Sequence, residues 1–177
     1  MLRRLLIAVV LLALVFVGGA ALLPGTIKVE RSTEIAAPLP KVYSLVSGFA
    51  RYNEWSPWFE RDPAAKYTLS GPPVGKGAKM SWVSDKDDVG SGSQEITAAE
   101  PDKRVDVALD FGDMGKAKAG FLLAPGAAAN STKLTWQFEN DVGSNPLMRW
   151  MGLMFDRWIG ADFEKGLAKL KVVAEQP

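Results

Sequence analysis

The side chains that could do chemistry here are carboxylates, tyrosines and lysines, because the 177-residue chain contains no histidine and no cysteine. Those absences exclude the Ser-His-Asp triad, thiolate nucleophiles, disulfides and zinc sites built from cysteine or histidine. Glu60 and Asp62 are the catalytic candidates, because they follow the aromatic residues Trp55, Trp58 and Phe59. A carboxyl group beside apolar rings can have a raised pKa and act as a general acid or base. The alternatives are a surface loop with solvated charges, or an Asp62 that caps the following turn.

Two further patterns are similar to ligand-binding loops but fail in detail. The segment from Gly71 to Gly77 is one residue too short for a phosphate-binding loop, and Gly77 stands where Ser or Thr is required. The acidic run Asp85–Asp88 has Ile96 at the position where a calcium loop needs a glutamate. The sequence therefore predicts hairpin turns here, and neither a metal nor a cofactor. A net charge of +1 also gives no broad basic surface for nucleic acid.

The N-terminal segment is strongly hydrophobic. Leu5–Leu23 has nineteen residues without a charge, and as a helix it would span roughly 28 Å, close to the hydrocarbon thickness of a bilayer. Arg3 and Arg4 precede it, which favours a single-pass anchor in the inner (cytoplasmic) membrane with the rest of the chain outside the cytoplasm. The alternative is a signal peptide with a small-residue processing site within Gly18–Ala21, giving a secreted or periplasmic protein. A buried core helix is disfavoured, because no face of this segment is polar.

The chain therefore divides into an anchor or signal segment, residues 1–24, and one domain, residues 25–177. Apolar residues alternate in Thr26–Ile35 and in several later segments separated by short turns, which predicts an antiparallel sheet of about six to seven strands. The later segments lie near residues 67–69, 78–82, 95–98, 105–111, 117–123 and 134–138. A short helix is expected after Pro38, and a helical turn or loop is expected over residues 51–59, broken by Pro57.

A long C-terminal helix is predicted to begin at Asn145, a good N-cap followed by proline. One apolar stripe runs its full length and is expected to face the sheet. Its members are Met148, Gly152, Phe155, Ile159, Phe163, Gly166, Leu170 and Val173. Asp162 and Lys165 are expected to form an i,i+3 pair on the exterior of this helix.

The first half of this helix carries a second apolar stripe. It consists of Leu147, Trp150, Met151, Met154 and Trp158. One interpretation is that loops cover this stripe. The other is that it lines the opening of a cavity or contacts a membrane or a partner.

Strand alternation and the sheet-facing stripe together indicate which side chains could line a cavity between sheet and helix. The expected lining is Trp55, Trp58, Met80, Trp82, Leu109, Phe121, Trp136, Phe138, Met151, Phe155 and Ile159. Ordinary core packing is the competing explanation for each of them, because a lining residue is a core residue with a gap beside it.

The element order and several short motifs resemble the SRPBCC superfamily, also called START-like or helix-grip proteins, and most closely its polyketide cyclase/dehydrase-like bacterial branch. The matching motifs are Trp55-Ser56-Pro57-Trp58, Asp62-Pro63, Ser70-Gly71-Pro72, Gly75-x-Gly77, Gly90-x-Gly92 and the segment from Asp162 to Leu167. The resemblance covers about residues 26–175. It implies an α+β helix-grip fold, in which a curved antiparallel sheet surrounds the long C-terminal helix, and a cavity for a hydrophobic small molecule.

Three functions follow as hypotheses. The first is a membrane-tethered, exported domain that binds a hydrophobic small molecule or lipid, with membrane contact through Leu5–Leu23. The second is a polyketide-cyclase-like enzyme that uses carboxylates in its pocket, which the lack of histidine disfavours. The third is a protein-interaction domain whose cavity is filled by its own side chains.

Overall fold

The computed structural model describes residues 1–176, which form four α-helices, two 3-10 turns and seven strands. The helices are α1 (Leu2–Ala21), α2 (Leu39–Val46), α3 (Pro57–Arg61) and α4 (Pro146–Glu175), and the 3-10 turns are Tyr52–Glu54 and Gly112–Met114. The strands are β1 (Thr26–Ile35), β2 (Lys66–Ser70), β3 (Lys79–Val83), β4 (Ser91–Glu100), β5 (Arg104–Asp110), β6 (Lys116–Pro125) and β7 (Thr132–Asp141). The strands form one antiparallel sheet in the order β1-β7-β6-β5-β4-β3-β2. The sheet curves around α4, which confirms the predicted helix-grip fold.

The register of the sheet collects the apolar side chains on the concave face that α4 covers. Trp136 pairs with Phe121 across β7 and β6, and Phe138 pairs with Ala119 and with Val29. Because successive side chains along a strand point to opposite faces, all of these side chains point inward. The hydrophobic core therefore lies between this face and the helices.

Two elements differ from the sequence-based expectation. β4 extends over Ser91–Glu100, beyond the expected residues 95–98, because its pairing with β3 and β5 continues past its few apolar positions. Pro57 begins α3 and does not break a helix. Ser56 is the N-cap, and its Oγ accepts a hydrogen bond from the backbone N–H of Phe59 at 3.4 Å. Proline suits the first helical position, where its missing N–H would have no helical partner.

α4 begins as predicted, with Asn145 Oδ1 accepting a hydrogen bond from the N–H of Met148 at 3.2 Å. Its glycines bring the helix close to the sheet. A Cβ atom added at Gly166 would lie 2.7 Å from Cζ3 of Trp136, and one added at Gly152 would lie 2.9 Å from Cγ1 of Ile27. The two glycines therefore serve close packing.

α1 is long and apolar enough to cross a bilayer, although a signal sequence near the N-terminus would pass the same test. Ala20 is the one buried residue within α1. The core residues of the domain come from Val29 to Ala174, so this core is complete without α1.

Candidate ligand-binding site

The concave face is filled by aromatic side chains near the middle of α4. The rings of Trp136 and Phe163 are stacked, with centroids 4.0 Å apart and an interplanar angle of 5°. Trp55 packs edge-on against Trp136 at 5.5 Å and against Phe121 at 5.9 Å. All four residues are at most 5% exposed. At this end, the space between sheet and helix is therefore occupied by the protein's own rings.

The same face is partly exposed at its other end, beside the first half of α4. The half-buried concave-face residues there are Trp82, Leu109, Phe111, Ala119, Phe155 and Ile159. Phe138 lies where the two ends meet, and its ring centroid is 6.4 Å from that of Phe155. These apolar side chains on the concave face are therefore only partly covered by the rest of the fold. We call this partly exposed apolar region the grip cleft and define it by these six residues and Phe138.

α3 crosses from α4 to the loop after β3 and so bounds the concave face. Arg61 pairs with Asp162 of α4, and Ser84 Oγ donates a hydrogen bond to Asp62 Oδ2 at 2.6 Å. Trp58, which is half-buried, packs edge-on against Trp136 at 5.8 Å. The expected exterior pairing of Asp162 is wrong, because α3 packs over this turn of α4 and supplies Arg61 as the partner.

The two candidate carboxylates have polar or charged partners. Glu60 is exposed and forms an ion pair with Lys169. Asp62 is buried, and it accepts hydrogen bonds from Ser84 and from the N–H of Ala64. The bond from Ser84 above all, and then that from Ala64, holds the pKa of Asp62 below its usual value. The expectation that neighbouring rings would raise this pKa is wrong, because the hydrogen bonds outweigh the effect of burial.

Three residues of this region were not singled out by the sequence reasoning. Phe111, just after β5, belongs to the grip cleft, and its position at the end of the 105–111 alternation was the available signal. Gln94 is buried on the concave face of β4 beside Tyr52, which is also buried. Burial raises the pKa of the Tyr52 phenol, so this group stays protonated and remains a hydrogen-bond donor.

The structure distributes the predicted lining residues among three environments. Trp55, Met80, Phe121 and Trp136 are packed in the core. Trp58, Trp82, Leu109, Phe155 and Ile159 are half-buried, Phe138 is buried beside them, and Met151 is exposed on the outer side of α4. A role in holding a ligand stays a prediction, and it concerns the residues of the grip cleft.

The second apolar stripe of α4 is exposed. Leu147, Trp150, Met151, Met154 and Trp158 are 36–59% accessible, and neighbouring Leu153 is 60% accessible. The interpretation in which loops cover this stripe is therefore wrong for residues 1–176.

A separate groove of about 340 Å³ lies on the outer face of the sheet. Glu30, Asp106, Lys118 and Glu139 are among its lining residues. Because this lining mixes charges of both signs, the groove does not suit a hydrophobic ligand.

The family model described as "Polyketide cyclase / dehydrase and lipid transport" matches residues 26–175. No curated protein matches the chain. A solution structure from Thermobifida fusca is 19% identical with a TM-score of 0.64, covering 83% of this chain and 92% of that one. CalU16 from Micromonospora echinospora is 14% identical with a TM-score of 0.55, and the match covers 84% of this chain and 65% of CalU16.

The di-domain ARO/CYC protein StfQ of the steffimycin biosynthetic pathway is also similar. Its identity is 13% and its TM-score is 0.61, with 85% of this chain and 51% of StfQ covered. This chain therefore spans about half of StfQ. At these identities, the likeness of the three structures shows a shared fold.

Proposed function

This chain belongs to the polyketide cyclase/dehydrase and lipid transport family of the SRPBCC superfamily, and from that premise we propose that its domain binds a hydrophobic small molecule or lipid in the grip cleft. The observation that carries the proposal is the half-buried apolar end of the concave face. A ligand that covers this partly accessible apolar surface would stabilise the complex by about 25 cal/mol for each Å² removed from water. The filled end, centred on Trp136, limits how far such a ligand can enter.

The same proposal places the domain outside the cytoplasm and tethers it to the inner membrane through α1. Support comes from the length and apolar composition of α1 and from Arg3 and Arg4 before it. A tether keeps the grip cleft close to a source of hydrophobic ligand. The proposal assigns no role to the carboxylates Glu60 and Asp62, which contact Lys169 and Ser84.

The test is native mass spectrometry of residues 25–177, which contain the whole hydrophobic core, together with two matched variants. Ala119→Phe places a ring inside the grip cleft, whereas Ala108→Phe places the same ring on the outer face of neighbouring β5. We expect the unsubstituted domain to carry one apolar molecule per chain. Ala119→Phe should weaken its binding at least tenfold, or about 1.4 kcal/mol, and Ala108→Phe should retain it.

Two results would contradict the proposal. One is a domain that carries no apolar molecule and gains no thermal stability from a panel of lipids. The other is an equal loss of ligand in Ala119→Phe and Ala108→Phe, which would point to a site away from the grip cleft.

A further inference from the structure

The first half of α4 exposes a cluster of large apolar side chains, which we call the α4 apolar face. It consists of Leu147, Trp150, Met151, Leu153, Met154 and Trp158, each 36–60% accessible. These residues span twelve positions, or roughly 18 Å of helix at 1.5 Å per residue. An exposed apolar cluster of this kind on a folded domain marks an interaction site.

Contacts with α1 fix the level of Trp150, near the start of this face, relative to the hydrophobic segment. The rings of Phe16 and Trp150 are stacked at 6.0 Å, and Trp150 Nε1 donates a hydrogen bond to the carbonyl oxygen of Phe16 at 3.0 Å. A Cβ added at Gly19 would lie 2.8 Å from Cζ2 of Trp150. Because the apolar run of α1 continues to Leu23, Trp150 lies roughly 6–10 Å inside the end of that run at 1.5 Å per residue.

We infer that the α4 apolar face lies in the interfacial layer of the membrane that α1 crosses, among lipid headgroups and the adjoining acyl chains. The inference rests on the proposed tether, because α1 sets the depth. Tryptophan is enriched at this level of a bilayer, where its ring is buried and its N–H can find a polar partner.

The charges next to this face suit a headgroup layer. Arg149 donates hydrogen bonds to the carbonyl oxygens of Ala20 at 3.2 Å and Gly143 at 2.7 Å, which holds a cation at the C-terminal end of α1. Arg157 is exposed beside Trp158. The carboxylate of Asp156 pairs instead with Arg31 of β1. The exposed side of this half of α4 therefore combines apolar side chains with the cation of Arg157, and Arg149 lies at its start.

This placement brings the grip cleft to the lipid. Phe155 and Ile159, which belong to the cleft, lie on the same turns of α4 as Met154 and Trp158. A hydrophobic molecule could therefore pass from the acyl chains to the cleft along one helix surface without crossing bulk water. This deepens the proposed function by naming the membrane as the immediate source of the ligand.

The absence of cysteine from the chain allows a direct test with single spin labels. The full chain is inserted into phosphatidylcholine nanodiscs, one chain per disc, with one nitroxide at Leu12→Cys, Met154→Cys or Val172→Cys. Leu12, Met154 and Val172 are 69%, 47% and 62% accessible, so none of these labels disturbs the core. For each nitroxide, the rate of collision with oxygen, which partitions into acyl chains, is compared with the rate of collision with a water-soluble nickel chelate.

We expect the oxygen-to-nickel ratio at residue 154 to be several-fold higher than at residue 172, and the ratio at residue 12 to be high. A label at residue 154 that behaves like the one at residue 172, while residue 12 is in the acyl layer, overturns this inference and leaves the tether intact. That result would assign the α4 apolar face to a protein partner. Water exposure at residue 12 would overturn the tether and this inference together. Ligand binding by residues 25–177 is tested separately, by mass spectrometry.

Discussion

Asp62 lies between the end of α3 and the loop after β3, where Ser84 and the N–H of Ala64 donate hydrogen bonds to it. These bonds favour the charged form, so the pKa of Asp62 is lower in the folded protein than in the unfolded chain. The stabilisation is complete above the unfolded-state pKa, about 3.9, and is lost as the pH falls through the folded-state value. The charged carboxylate of Asp62 therefore holds the end of α3 against the loop after β3.

We predict that Asp62→Asn lowers the Tm of residues 25–177 by a few degrees near neutral pH. The difference from the unsubstituted domain should shrink as the pH falls from about 4 toward 2, because both chains then lack the charge. Thermal unfolding followed by circular dichroism across this pH range measures it. Asp87→Asn, at an exposed carboxylate in the loop after β3, is the control and should change the Tm little. A Tm difference that stays constant with pH would show that packing rather than charge accounts for the effect.

At the scale of elements, Arg31 joins β1 to α4. Its guanidinium contacts Glu164 Oε1 at 2.7 Å and Asp156 Oδ1 at 2.9 Å. It occupies the space that a Cβ at Gly160 would take. The hydrogen bonds that Arg31 donates to Asp156 and Glu164 raise the pKa of its guanidinium, so Arg31 is charged at any pH at which the protein is folded. These ion pairs join a strand and a helix that are far apart in sequence. They therefore help to hold α4 against β1.

We predict that Arg31→Met lowers the free energy of unfolding by roughly 1 kcal/mol, since both carboxylates are more than half exposed and solvent screens the pairs. Urea unfolding of residues 25–177 measures this loss, and added salt should reduce the difference between the two chains. Arg104→Met is the matched control, because the ion pair of Arg104 with Asp106 lies within β5. An equal loss in both variants would indicate that Arg31 has no special role between β1 and α4.

The elements were predictable where their signals are local. The alternation of Val105 and Val107 indicated β5, and Asn145 before proline indicated the start of α4. The full length of β4 was not predictable, because residues such as Ser91 and Gln94 give little apolar alternation and the strand is extended by pairing with β3 and β5. The start of α3 at Pro57 was missed, since the same residue type can either begin a helix or end one.

The candidate site was predictable as a face but not as a cleft. Alternation correctly placed Trp136, Phe121, Trp82 and Leu109 on the inner side of the sheet. It could not show that Trp136 stacks on Phe163 and fills one end, because that depends on the separation and rotamers of residues distant in sequence. The filled and open ends follow from tertiary packing alone.

On the scale of the whole molecule, the hydrophobic segment, the α4 apolar face and the grip cleft are neighbours. α1 packs against the first turns of α4 through Phe16 and Trp150. The following turns carry the α4 apolar face on one side and the cleft residues Phe155 and Ile159 on another. On the proposed route from the membrane, the rate of ligand entry would depend on a surface that contributes little to the core.

We predict that Met154→Glu in the full chain slows the uptake of a lipid from vesicles roughly tenfold, equivalent to about 1.4 kcal/mol in the barrier. A carboxylate on the α4 apolar face would have to approach acyl chains, which is costly. The final amount of lipid bound and the Tm of the domain should change little, because Met154 is 47% accessible and lies outside the defined cleft. Stopped-flow transfer of a fluorescent phospholipid measures the rate, with Val172→Glu as the control on the second half of α4.

Equal rates in the two variants would mean that ligand enters without help from this face. A Met154→Glu chain that loses stability in parallel with uptake would mean that the residue serves packing.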